Sequence, residues 1–304
     1  MFDIVSAGHF TIDSIFLPDR HLPFVVLGGS AAYVSFIARR LNATVSVVSK
    51  VGGDFPDAYM WWLEQEGVDL SGVVKVKSTR TTRFEPKYSN DLSNRILRLK
   101  SRAQPITVDD LPKSLKAKAI HVAPIAGEIT YEVMEKLRNC AEWLSLDPQG
   151  LMRKFDEKGN VAQGLLTDKR ILELIDIYKS SANEIKAATG LSRLNSAIKA
   201  IHDYGVETVI VTLGMKGAVL SIEENIYNIP AYKPEKFVDP TGAGDVFIGG
   251  FLAEYIRGEN LLWCACVGSA AASLVVEAPG PTFFGDKTEI YRRASVLDEK
   301  EIKE

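Results

Sequence analysis

The stretch "FVDPTGAGDVFIGGF", Phe237–Phe251, places a proline, a threonine, two glycines and an alanine between two aspartates. From Gly244 it continues as "GDVFIGGFLAEYIRG", in which apolar residues recur at helical spacing. The turn Pro240–Gly244 therefore delivers the backbone amides of Gly242 to Asp245 to a helix N-terminus. Amides there have no partner inside the helix and the helix dipole is positive, so an anion is favoured. Glycine and alanine let a phosphate approach the backbone closely. A carboxylate in the first turn, Asp245, is then placed to take a proton from a hydroxyl lying beside that phosphate. An aspartate in a first helical turn is also favoured by the dipole alone, by about 0.3–1 kcal/mol. The whole string is the specific signal, more than any residue in it.

Outward from this stretch, short Val/Ile-rich runs alternate with helical patterns. "FDIVSAG", "TVSVVS", "AIHVAP", "AEWLSLD", "IDIYKS" and "TVIVTLG" read as strands, and "SAAYVSFIARRL" and "DAYMWWLEQEG" as helices between the first of them. The pattern predicts βαβ units and a central, mostly parallel sheet covered on both faces. Its right-handed crossovers put a ligand crevice at the C-terminal ends of the strands. Two segments break the rhythm: Ser14–Val26 and Val73–Leu99 are polar, β-branched and often alternating. They predict exposed antiparallel strands, a small β lid over the crevice of one α/β domain spanning residues 1–304. The tail "LDEKEIKE" is expected to fray.

The 304 residues are 46% hydrophobic and 25% charged, with a net charge of −3, an ordinary globular balance. With an isoelectric point near 5.9 and no basic cluster, nucleic acid is not an expected partner. The N-terminal "MFDIVSAGHF" reads as a first strand and not as a leader. The longest uncharged run, Leu261–Val276, is too short to span a bilayer and predicts a buried helix, so no membrane partner is expected. Cys140, Cys264 and Cys266 fit a reducing, cytoplasmic setting, and their spacing suits no metal.

"DPTGAGDVFIGGFL" resembles the C-terminal signature of the ribokinase (PfkB-type carbohydrate kinase) family, usually written D-T-x-G-A-G-D. "LGGSAAYVSFIARRLNATVSVVSKVGGD", Leu27–Asp54, resembles its other signature, and the likeness continues through "LDPQG", "SANEIKAATG" and "VTLGMKG". The resemblance implies a ribokinase-like fold and transfer of the γ-phosphoryl group of ATP, with Mg²⁺, to a hydroxyl of a sugar, sugar acid, cyclitol or nucleoside. It makes Asp245 the catalytic base and Gly242, Ala243 and Gly244 the anion hole. Asp13, Gly28, Gly29 and Tyr33 match acceptor-binding positions. Asn183, Thr212, Gly214, Gly217 and Gly280 match nucleotide-binding positions, and Asp239 and Thr241 match carbonyl ligands of a monovalent cation, K⁺. The resemblance also implies a homodimer formed through the lid. Read singly, Asp13 is as readily a turn residue, Gly28–Gly29 a tight turn, and "TLGMKG" a hairpin.

Three positions depart from the pattern. The glutamate of N-x-x-E, counted from Asn183, falls on Lys186; an asparagine expected after the first glycine is Tyr33; and Glu128 lies too far along to match a ribokinase glutamate. These leave the reaction class standing and point away from ribose. Arg80, Arg83, Arg95 and Arg98 lie in or beside the lid, where a solvated strand face is the simpler expectation than a substrate phosphate. A nicotinamide dehydrogenase is disfavoured because Phe247 stands where G-x-G-x-x-G/A needs a small residue, and no Walker A motif exists. A non-catalytic sugar- or nucleotide-binding relative is the other reading: the carboxylate of Asp245 argues against it, and Lys186 in place of the motif's glutamate argues for it.

Overall fold

The computed structural model describes every residue except 19, 93, 224 and 300–304. The N-terminal third contains β1 (Phe2–Ala7), β2 (Thr11–Ile15), β3 (Phe24–Gly28), α1 (Ser30–Arg40), β4 (Val45–Gly52), α2 (Asp57–Gln65), β5 (Val68–Val76), β6 (Thr82–Tyr88) and β7 (Arg95–Ser101). The middle contains β8 (Ala117–Val122), α3 (Tyr131–Arg138), β9 (Ala141–Leu146), α4 (Gln149–Met152), β10 (Arg153–Phe155), β11 (Val161–Gln163), β12 (Ile177–Ser181) and α5 (Ala182–Thr189). The remainder is α6 (Leu194–His202), β13 (Thr208–Thr212), β14 (Ala218–Ile222), β15 (Asn225–Ile229), α7 (Ala243–Tyr255), α8 (Leu261–Val275) and α9 (Lys287–Asp298).

Nine strands form the central sheet in the order β15-β14-β13-β12-β9-β8-β1-β4-β5, parallel except where β14 pairs with β13 and β15. This is a ribokinase-like α/β fold. The apolar runs explain it: all eight residues of β4 are buried, as a strand covered on both faces requires. Of the tail, Leu297–Glu299 finish α9 and its cap, and residues 300–304 lie outside the described residues.

β3, β2, β6 and β7 form a separate four-stranded sheet. Two expectations for it are corrected. Val73–Val76 belong to the central sheet, where Val73 pairs with Ser49 of β4, so the second segment of the small sheet starts only at Thr82. The pairing is also mixed: β2–β3 and β6–β7 are antiparallel, but β2–β6 is parallel. β2 and β6 each follow a strand of the central sheet and leave its C-terminal edge in the same direction.

α7 is apolar all round because it is enclosed, packing between α1 and α8. Its Gly249–Gly250 pair makes the approach close. A Cβ on Gly250 would lie 3.2 Å from the Cα of Gly268 in α8, and one on Gly249 would lie 3.1 Å from the Cα of Val34 in α1. The glycines cost helix propensity, about 1 kcal/mol each, and in return fix the helix that carries Asp245. Among the described residues, no helix is long and apolar enough to cross a membrane; Leu261–Val276 is the buried α8 and its cap.

Candidate active site

Gly242 caps α7 with φ 78°, the left-handed conformation that brings the chain out of the Pro240 turn into the helix. The Ala243 amide already donates to the Pro240 carbonyl at 3.3 Å, so the unpaired donors of the first turn are the amides of Gly244 and Asp245.

Three cavities meet at this turn. The first, about 70 Å³, is lined by Thr11, Asp13, Tyr33, Arg95, Arg153 and Asp245 among others. The second, about 310 Å³, is polar and holds Asp147, Lys179, Ser181, Glu184, Gly244 and Asp245. The third, about 160 Å³, is mainly apolar, with Met215, Tyr232, Phe237, Phe247, Ala272 and Val276 in its wall. Asp245 stands at the junction of the first and second, Gly244 at the junction of the second and third. The helix N-terminus thus borders a small polar chamber, a larger polar one and an apolar slot.

In the first cavity, Thr11 Oγ1, Asp13 Oδ1 and the Tyr33 hydroxyl are buried without a hydrogen-bond partner. Orphaned buried polar atoms are rare, and three in one cavity point to a ligand with hydroxyl groups. Gly28 makes room for them, since a Cβ there would lie 2.5 Å from Thr11 Oγ1. Gly29 shapes the turn behind them with φ 90°. Burial pushes the Asp13 carboxyl up to about 6, against the charges of the Arg95 and Arg153 guanidiniums. Arg153 is held in place, donating to the Ile125 carbonyl at 2.8 Å and to Gln149 Oε1 at 2.6 Å, while Gln149 Nε2 donates to Ser30 Oγ at 3.0 Å.

Burial also raises Asp245 to about 6; Lys179 opposes the shift and Asp147 adds to it. A carboxylate with that value is ionised at neutral pH yet basic enough to take a proton in a transition state. Glu184 and Asp147 bring hard oxygen ligands to the second cavity, the donor type that Mg²⁺ takes alongside phosphate oxygens.

Other expected residues fall in different places. Thr212 lines the second and third cavities, and Gly214 and Gly217 the third, around a 3₁₀ turn that is also the expected hairpin. Asn183 is exposed on α5 and is not among the residues that line these three cavities. The three-residue spacing is kept instead by Ser181 and Glu184. Ser181 caps α5, Glu184 Oε2 accepts from its backbone N–H at 2.8 Å and its hydroxyl at 2.6 Å, and both residues face the second cavity. Gly280 does not line these three cavities either. It packs on Val26 of β3 and donates its amide to Asp239 Oδ2 at 2.8 Å. The other oxygen of Asp239 accepts from the Thr241 amide and hydroxyl at 2.9 and 2.6 Å, so its side chain serves as a loop clasp.

Glu128 accepts from the amides of His9, Ile125 and Ala126, bracing the loops behind the first cavity without lining it. Of the four arginines near the small sheet, only Arg95 lines the cavities; Arg83 pairs with Asp54 and Arg98 donates to the Lys158 carbonyl. Lys179, Asp147, Gln149 and Arg153 were not expected at the site. One signal was a lysine inside the strand "DIYKSS", at a position that packing alone would make apolar.

The model of the pfkB family carbohydrate kinases matches residues 1–288. A cytidine kinase of Thermococcus kodakarensis is 31% identical over 283 residues, which cover 92% of this chain and 98% of the relative. An inositol 3-kinase of Arabidopsis thaliana is 28% identical over 292 residues, covering 92% and 76%. Among solved structures, a pyrophosphate-dependent kinase of the ribokinase family, complexed with a pyrophosphate analogue and myo-inositol, superposes with a TM-score of 0.79 at 23% identity. That superposition covers 91% of this chain and 96% of the other.

Proposed function

The chain belongs to the pfkB family of carbohydrate kinases, and on that premise we propose that it moves the γ-phosphoryl group of ATP to a hydroxyl of a small acceptor held in the first cavity. The observation that carries this reading is the trio of unpartnered buried polar atoms, Thr11 Oγ1, Asp13 Oδ1 and the Tyr33 hydroxyl, in the cavity that Asp245 also lines. They suit a polyhydroxylated ligand, whether cyclitol, sugar or the ribose of a nucleoside.

In this reading Asp13 and Tyr33 orient the acceptor and Asp245 takes the proton of the reacting hydroxyl. The oxygen attacks the γ-phosphorus in line, its new bond forming as the bond to ADP breaks. The amides of Gly244 and Asp245 take up the charge on the phosphoryl oxygens. Mg²⁺, held by the phosphates with Glu184 and Asp147, would offset the negative charge of the donor. The apolar third cavity supports a nucleotide over bare pyrophosphate, because it offers a base-sized slot beyond the anion site. Closure by the small sheet would keep water from competing. K⁺ near the carbonyls of Asp239 and Thr241 stays part of the proposal. So does a homodimer, for which β3 is the free edge, since β7 is already joined to the β10–β11 hairpin by Leu99 N–H to Gly159 O at 2.7 Å.

The test crosses ATP, ADP and pyrophosphate with myo-inositol, cytidine and pentoses, following product formation. Transfer from ATP to one of these acceptors, lost in Asp245→Asn, is the expected result. Equal turnover with pyrophosphate would overturn the nucleotide assignment, and full activity in Asp245→Asn would remove the base.

A further inference from the structure

Lys179 sits in the middle of β12, between β9 and β13 in the centre of the sheet, and is only 4% exposed. Its ammonium contacts Asp147 Oδ2 at 2.6 Å, and the two side chains are 5% and 2% exposed. An ion pair buried this deeply gains little stability over an apolar pair of similar volume, so stability does not account for it. Its direction is more informative. A Cβ on Gly244 would lie 2.6 Å from Lys179 Nζ, so the ammonium stands against the first turn of α7.

That is the wrong end of a helix for a cation. The N-terminus is the positive pole, and Gly244, which the ammonium stands against, carries an amide with no backbone partner among the described residues. Two positive groups facing one polar cavity are reconciled when an anion lies between them. Asp147 takes one N–H of the ammonium, and no other hydrogen bond of Lys179 is formed among the described residues, so donors remain for that anion.

We propose that Lys179 is a catalytic residue. Its ammonium grips an oxygen of the phosphoryl group in transfer against the amides of Gly244 and Asp245, and Asp147 is the positioning residue that aims it. The proposal rests on the phosphotransferase reading of this site. Lys179 donates hydrogen bonds and keeps its proton throughout; the acceptor's proton goes to Asp245 and the electron pair of the breaking bond leaves with ADP. Burial works against the charge of Lys179, but Asp147, Asp245 and Glu184 outweigh it and hold its pKa above the usual lysine value. The ammonium therefore persists across the working pH range.

The deciding comparison is Lys179→Met, Asp147→Asn and the double variant, in which a neutral pair of similar size replaces the ion pair and local net charge is unchanged. Lys179→Met is expected to lower kcat by ~10²–10³-fold, the scale of losing one donor to a transition-state oxyanion. The double variant, folded with a Tm near wild type, should stay as slow. A second arm measures binding of inorganic pyrophosphate by calorimetry; Kd should rise at least about tenfold in Lys179→Met and in the double variant. If Lys179 merely neutralises Asp147, the double variant regains wild-type affinity for pyrophosphate measured without Mg²⁺, and the proposal falls. A wild type that binds pyrophosphate but transfers nothing would overturn the phosphotransferase reading instead, with the binding arm still deciding the Lys179 contact.

Discussion

The backbone of Gly242 rests on the ring of Tyr33: a Cβ there would lie 2.6 Å from the ring carbon Cγ. The ring is buried, with Phe284 edge-on at 6.4 Å. Gly242 also needs its left-handed φ of 78° to start α7. Gly242→Ala therefore meets both a backbone and a packing penalty, together about 2–4 kcal/mol. We expect Tm to fall, and kcat to fall by about 10²-fold or more because the amides that follow are displaced. A thermal melt and steady-state kinetics check both.

Tyr33→Phe removes only a hydroxyl that has no partner in the protein. Because an unsatisfied buried polar atom costs free energy, the variant should be as stable as wild type or slightly more so. If the hydroxyl serves the acceptor, KM for the acceptor rises about five- to tenfold and kcat changes little. An unchanged KM would leave Tyr33 as a packing residue.

Asp13 and Asp245, both raised to about 6 by burial, set the pH response. Each is expected to act as a carboxylate, so kcat/KM should drop as pH falls through about 6. The slope steepens toward two decades per unit if both must be ionised. Stability runs the other way. A carboxyl whose folded value exceeds its unfolded value binds more protons when folded, so stability rises as pH falls from 6 to 4. Asp245→Asn removes the cost of the ionised form, about 1–3 kcal/mol at pH 7.5. It should raise Tm by about 2–6 °C at pH 7.5 and by markedly less at pH 4.5, while abolishing transfer. A lower Tm at pH 7.5 would contradict the shift.

Periodicity and turn chemistry made most of this fold legible. The run Phe237–Phe251 announced a helix start with free amides and a carboxylate, and strands read as β-branched runs are the strands of the central sheet. The edge of the small sheet was misjudged at Val73–Val76 because a central strand near the sheet's margin carries the same alternating pattern as an exposed one. Arg153 and Gln149 were invisible because their role depends on a turn after β9 that folds them under the small sheet. No local pattern encodes that tertiary approach. Lys179 was in plain view, but a single charged residue in a strand has no partner in the sequence until Asp147 is brought beside it.

The N-x-x-E motif gives the last test. Asn183 matches the letter of the pattern, but the helix begins at Ala182, which makes Ser181 the cap and Glu184 the residue facing the phosphate cavity. Asn183 and Lys186 lie outside it. Glu184→Gln keeps the shape and loses the charge that Mg²⁺ would meet, so kcat should fall about tenfold or more and the Mg²⁺ concentration for half-maximal rate should rise. The glutamine oxygen can still accept from the Ser181 amide, so the capping box is kept and Tm should change little. Asn183→Ala and Lys186→Ala should retain wild-type kcat, KM and Mg²⁺ dependence. If Asn183→Ala were the damaging change and Glu184→Gln the silent one, the metal's carboxylate would have to be sought elsewhere in the cavity, with Asp147 next in line.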